Sequence, residues 1–254
     1  MINPLLSRSA ELESALLQFI SLPPYDKSER IVSSRVMCSI AFEHAESAKL
    51  LIATGNFTSA TGLVRLQHEA LTRAMWLLYS ASDHAISKLM CELTSEPADK
   101  ANKLPMLSEM LKSLEGKALQ EALNMLLEFK EYSWKPLSSF IHGGIHAINR
   151  HSKGYPAPLL IQMLKISNGV SVMAGMLLVI LSGDPRQRGK IPAIQKQYED
   201  CLPEYKRNNR GQTTTSAKAE KLIVVCPPLF GTTGAQTARR QACPRSRLPI
   251  GQNN

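Results

Sequence analysis

Apolar residues recur along this chain at helical spacing almost from its start. Leu5, Leu6, Leu12, Leu16, Leu17 and Ile20 predict a first helix, which Pro23-Pro24 stops. A second helix is predicted over about 28–53. Its many small residues (Ser33, Ser34, Cys38, Ser39, Ala41, Ala45, Ser47, Ala48) let a neighbouring backbone come close, and it also carries Arg35, Glu43, His44 and Glu46. Gly55 is a C-terminal stop, and Asn56 or Thr58 can cap the next helix. In this third helix, about 58–81, Leu63, Leu66, Ala70, Ala74 and Leu77 form one face. Arg65, Glu69 and Arg73 fall four apart on another, so Glu69 sits between two guanidiniums. Trp76 lies within about 20° of Arg65 around the helix axis and extends that stripe. Its bland reading is an ion pair that fixes bundle register; the sharper one is a guanidinium aimed at a site and oriented by Glu69.

A polar connector, 95–103, leads to two shorter helical stretches, about 104–114 and 117–130. Then comes Tyr132-Ser-Trp-Lys-Pro-Leu-Ser-Ser-Phe-Ile-His-Gly-Gly-Ile-His146, which packs aromatics, a lysine, hydroxyls and two histidines around a Gly-Gly break. Functional groups gather where regular structure is interrupted, so this stretch is the first place to expect a site. Pro136 and Ser138 predict a new helix starting near Leu137, with Ser138 as its cap. After a polar turn, 149–156, a last strong helix is predicted over about 158–181. Within it 166–182 is uncharged but short for a membrane span and holds Ser167, Asn168, Gly169 and Ser171, so a buried core helix is the better expectation.

Beyond Asp184 the periodicity fades, and 191–205 offers one or two more amphipathic turns. From Gly211 the composition changes to Thr, Gly, Pro and Arg with few core-forming residues, which predicts disorder. One account of it is a read-through or frameshifted extension of a shorter gene. The chain thus divides into an all-α helical bundle over 1–183, a short helical appendage or linker over 184–210, and a disordered basic tail over 211–254. There are no internal repeats and no phosphate-cradling glycine motif.

Charge obeys the same division. The net charge is +9 over 254 residues; 1–183 hold 17 Lys+Arg against 16 Asp+Glu, while 184–254 hold 13 against 5. A basic tail on a neutral body suits non-specific contact with phosphates, and it equally suits a solvated tail. Five scattered cysteines without a Cys-x-x-Cys pair fit free thiols in a reducing compartment, and the N-terminus lacks the basic and apolar regions of a signal peptide. A cytoplasmic location without membrane attachment is the expectation.

Three chemistries compete at the central stretch. His142 and His146 are four apart, but Gly143-Gly144 between them interrupts the helix that would aim both at one metal, and no Glu-x-x-His pair completes a di-iron set. Ser138 and Ser139 lie near His142, yet no nucleophile elbow accompanies them. The third chemistry, metal-independent RNA cleavage, enters through a resemblance. The all-helical layout, the helix reading Leu63-Val-Arg65-Leu-Gln-His-Glu69-Ala and the later Leu137-Ser-Ser-Phe-Ile-His142 resemble the HEPN superfamily of bacterial helical bundles. Many of its members are ribonuclease toxins or abortive-infection proteins. The likeness is greater to uncharacterised bacterial proteins related to that superfamily and covers roughly 31–181.

The resemblance implies a toxin or phage-defence role, no cofactor, RNA as substrate, a homodimer, and an antitoxin or other protein partner. The catalytic residues expected on this reading are His142 as general acid or base, Lys135 to stabilise the phosphate, and Ser139. Arg65, Glu69, Arg73 and His146 would bind phosphate or orient those groups. Where the superfamily's signature has Arg, four to six residues and then His, this chain has Lys135, six residues and His142. A lysine supplies a point charge without the bidentate fork of arginine. The competing expectation is a non-enzymatic bundle that acts by dimerising or binding a partner, with Arg65, Glu69, Arg73 and His142 in a structural polar network.

Overall fold

A computed structural model describes residues 2–91 and 104–204. Nine α-helices and no strand occur among the described residues: α1 Ile2–Leu17, α2 Glu29–Ala53, α3 Phe57–Tyr79, α4 Asp83–Met90, α5 Leu107–Ser113, α6 Gln120–Ile141, α7 Ile145–Lys153, α8 Ala157–Ser182 and α9 Lys190–Gln197. Short 3₁₀ turns come after α1, α8 and α9. The tail 211–254, the connector 95–103, Cys226 and Cys243 lie outside the described residues; Cys38, Cys91 and Cys201 are free thiols.

Helix α3 is the centre of the bundle, packed between α2, α6 and α8, with α5 across one end. The small residues of α2 give it the close approach that its sequence predicts. Cys38, Ala41, Ala45 and Ala48 are buried there, and the Ser34 hydroxyl donates to the Ala74 carbonyl of α3 at 2.9 Å. Ser28 caps α2 by accepting from the Ile31 N–H. Arg30, just inside that cap, donates to the Leu77 and Ala81 carbonyls and to Asp83, closing the C-terminus of α3 where backbone acceptors would otherwise be unpaired.

Helix α8 forms the far wall. Among the described residues it alone is long and apolar enough to cross a membrane, and it is mostly buried inside the bundle. The buried polar residues within it are partnered. Gln67 of α3 donates to the Ser167 carbonyl and the Ser171 hydroxyl and accepts from the Ser167 hydroxyl, while the Asn168 amide donates to Ser9 of α1 and to the Cys201 carbonyl. Buried polar groups so satisfied fix register at little net cost. Gly175 lets Leu16 pack tightly, since a Cβ there would stand 3.0 Å from Leu16 Cδ2. Between α1 and α2, Glu13 and Lys49 form a buried ion pair at 2.5 Å.

Two expectations change. The central stretch is not a new helix beginning at Leu137. Helix α6 runs unbroken through Pro136, and Ser138 is no N-cap: its hydroxyl donates back to the Trp134 carbonyl at 2.7 Å. Proline removes one helical hydrogen bond, but Phe129, Ser133, Leu137 and Phe140 bury one face across that point, and packing outweighs the local loss. The segment after Asp184 does form the expected short helix, α9. Rather than hanging from the bundle, it sends Ile191, Ile194, Tyr198, Cys201 and Leu202 into the same core.

Candidate functional site

Helices α3 and α6 cross in opposite directions, with Gly62 beside Ile141 at one end and His68 beside Leu126 and Phe129 further along. Arg65 faces this seam. Its Nη2 stands 2.8 Å from Glu69 Oε1, and its guanidinium lies over the Trp134 ring, 4.2 Å from the ring centre. A desolvated cation on an indole face is worth about 1–2 kcal/mol beyond the ion pair. Arg73 does not complete the expected ladder: among the described residues it pairs with no carboxylate, and its buried Nε has no hydrogen-bond partner. Trp76, expected to extend the stripe, is buried in a small separate cluster with Leu77, Ala81, Ile86 and Met110.

One seam residue carried no prediction. His68 is buried, stacked on Phe129 with ring centres 4.0 Å apart and nearly parallel, and edge-on to Trp134. Burial pushes its pKa down to about 3; the hydrogen bond to the Leu126 carbonyl works against that shift, and the positive Arg65 and Lys130 add to it. The ring is therefore neutral, and since a carbonyl only accepts, the proton sits on Nε2, which reaches Leu126 at 3.2 Å. Its Nδ1, together with the hydroxyls of Thr72 and Ser133, is buried without a partner. On the α2 side His44 is half-buried. Burial lowers its pKa, and the carboxylates of Glu43 and Glu69 oppose that. His68 stands between Arg65 and Glu69 in the chain, but only its contacts with Leu126 and Phe129, some sixty residues on, mark it out.

At the C-terminal end of α6 the side chains turn outward. Lys135 and His142 are both exposed, and positions seven apart on a helix share one side. His142 is the C-cap of α6, its N–H donating to the Ser138 carbonyl. Gly143 then takes a left-handed conformation (φ 63°), and α7 starts at Ile145. The Ser139 hydroxyl accepts from the His146 N–H at 2.9 Å, so it caps α7 from the preceding helix. Gly144 makes room for it: a Cβ there would sit 2.6 Å from Ser139 Oγ. The turn puts His142 and His146 on different helices rather than one face, and no group of three or more His, Cys, Asp or Glu side chains that could hold a metal comes together among the described residues.

Two clusters result. Arg65 and Glu69 are held in the α3–α6 seam under Trp134; Lys135, Ser139, His142 and His146 stand at the α6–α7 corner. Trp134 and Lys135 are chain neighbours, so both clusters draw on the same helix, α6. The chain after Lys135 is also poor in negative charge. Between Glu131 and Asp184 the chain has no carboxylate, while Lys135, Arg150 and Lys153 stand in and around the corner.

Fold and site together define an all-α helical bundle with a basic, histidine-bearing corner. The chain belongs to DUF6988, a family of unknown function whose model matches residues 38–204, a span that includes every residue of both clusters. No curated protein and no solved structure matches it.

Proposed function

We propose that this protein is a HEPN-like cytoplasmic bundle of the toxin or phage-defence type, and that it cleaves RNA without a metal at the α6–α7 corner. The observation that supports this reading is the pairing of His142 and Lys135. Both are exposed on one side of α6, and from Lys135 onward to Asp184 the chain offers cations and no carboxylate, with Glu131 one turn before Lys135 on the same side. A phosphodiester is attracted to such a surface, and imidazole is the side chain that can both take and give a proton near neutral pH.

His142 removes the proton from a ribose 2′-hydroxyl, whose oxygen attacks the adjacent phosphorus. The bond from phosphorus to the 5′-oxygen breaks, and the His142 imidazolium gives its proton to that oxygen, leaving a 2′,3′-cyclic phosphate, a free 5′-hydroxyl and a neutral His142. The Lys135 ammonium neutralises the non-bridging oxygens as charge builds on them. Ser139, with its hydroxyl committed to the α7 backbone, fixes the corner's shape; Arg65 and Glu69 hold Trp134, and through it the helix that carries Lys135.

The test is cleavage of total RNA by purified protein in EDTA. Wild type cleaves, and His142→Ala and Lys135→Ala each lose activity, by about a hundredfold or more for the histidine. Absence of cleavage by folded wild-type protein overturns the reading. A second reading, a non-enzymatic interaction module, is favoured by the internal pairing of Arg65 with Glu69 and Trp134, which takes that arginine away from any substrate. His142 stands outside that network, at the surface.

A further inference from the structure

His68 brings one polar side chain to an otherwise apolar hollow. Where α3, α6 and α8 meet, a cavity of about 10 Å³ is lined by His68, by Met125 of α6 and Met173 of α8, and for the rest by aliphatic and aromatic side chains and one glycine. His68 supplies the only side-chain nitrogens of that lining, which holds no side-chain oxygen. Nε2 is committed to the Leu126 carbonyl, while Nδ1 is buried with no partner.

Two ordinary fillings suit this space poorly. It has room for the centre of one water molecule, but a buried water needs two to four polar partners, and the lining side chains offer one. Left empty, it strands an imidazole lone pair inside the core, where native proteins seldom leave an acceptor unused. The lining does hold three donors of another kind, one imidazole nitrogen and two thioether sulfurs. That is a soft set without a carboxylate, and thioethers select Cu(I) among the biological metals.

We propose that Nδ1 of His68 and the sulfurs of Met125 and Met173 bind one Cu(I) ion in this cavity. The ring is already prepared for the task. Donation of its other N–H to a backbone carbonyl is what fixes the tautomer and orientation of a metal-bound histidine, and Phe129, stacked on the imidazole, holds its plane. Methionine is unbranched and flexible, and both methionines are half-buried. Their ends can therefore swing between surface and cavity, which closes the site on the ion and gives the ion its way in. Charge sets the choice of metal. A divalent ion brings about four times the desolvation cost of a monovalent one into a wall that has no anion to meet it. The positive Arg65 and Lys130 oppose any cation in this seam, a further reason for the ion of lowest charge.

The inference does not rest on RNA cleavage, and its assay contains no RNA. The full chain is treated with iodoacetamide to cap accessible thiols, Cys91 among them. It is then titrated with Cu(I) under nitrogen against the chromophoric chelator bicinchoninate. One Cu(I) binds per chain; Ag(I) competes for it, and an excess of Zn(II) does not. Met125→Leu/Met173→Leu keeps side-chain volume and leaves the helical circular dichroism unchanged. It binds Cu(I) about a hundredfold more weakly or worse. Cu(I) raises the melting temperature of wild type by about 5 °C or more and leaves that of the variant where it was. At the copper X-ray absorption edge, wild-type protein grown with selenomethionine shows two selenium neighbours and one nitrogen.

Failure of the wild type to hold Cu(I) against the chelator, or equal affinity in the leucine variant, overturns the proposal. So does a copper spectrum with sulfur and no selenium, which places the ion on a thiol. Nitrogen neighbours alone also overturn it, and place the ion on other histidines.

Discussion

His68 shows at the scale of one residue how burial turns a common side chain into a constraint. Its ring is neutral because the seam excludes water, and its folded pKa of about 3 lies well below the roughly 6.5 of an unfolded histidine. The folded pKa is depressed, so as pH falls below about 6.5 the unfolded chain binds a proton that the folded chain refuses. Stability is then lost by up to about 1.4 kcal/mol per pH unit, down to about pH 3. Between pH 7 and pH 5 the wild type loses about 2 kcal/mol more than His68→Gln, which has nothing to titrate there. Urea unfolding of both proteins at the two pH values measures the difference; equal losses would show that His68 takes up its proton in the native state. This residue was not legible in the sequence. Its neighbours Arg65 and Glu69 stand out by spacing, whereas the partners that define His68, Leu126 and Phe129, come from another helix.

Among the elements, the α6–α7 corner depends on a single interlocking pair. Ser139 accepts the His146 N–H only because Gly144 leaves space for its hydroxyl. Removing the cap with Ser139→Ala costs about 1 kcal/mol, the usual worth of such a bond at a helix start. Gly144→Ala drives a methyl group into the Ser139 hydroxyl and costs more, about 1–3 kcal/mol. The two changes are not additive, because Gly144→Ala does less harm once the hydroxyl is gone. A double-mutant cycle by chemical denaturation reads this coupling, and strict additivity would mean that the two residues do not touch. The Gly-Gly break was legible, since two consecutive glycines seldom stay helical. The course of α6 through Pro136 was not. Proline and a nearby serine look like a helix start, and only the buried run of Phe129, Leu137 and Phe140 shows why one helix continues.

Taken whole, the molecule has a main core that reaches further along the chain than its periodicity suggests. Ile191, Ile194, Tyr198, Cys201 and Leu202 are buried against α1 and α8. Arg8 ties the segment down, donating to the Gln197 carbonyl, pairing with Asp200 and lying over the Tyr198 ring. Three of the five are aliphatic, and each contributes about 1.5–3 kcal/mol on full burial, a large share of a net domain stability of about 5–15 kcal/mol. A chain ending before Lys190 is therefore expected to lose its cooperative melting transition. Deleting only 211–254, a stretch of core-poor composition, is expected to leave the transition within a few degrees of wild type. Differential scanning calorimetry of the two truncations separates these outcomes, and equal melting would remove α9 from the core.

Helical periodicity, proline and glycine stops and the absence of any strand pattern determined by themselves that this is an all-α bundle, because those signals are local and repeat within each helix. They also marked the corner at His142. What only the tertiary structure decided are the relations between distant segments: Arg65 over Trp134, His68 against Phe129, α9 inside the core, and Ile145 and Ile148 facing water. The last is the plainest case. A sequence shows that α7 has an apolar side, but which way that side points depends on what the rest of the chain leaves for it to pack against.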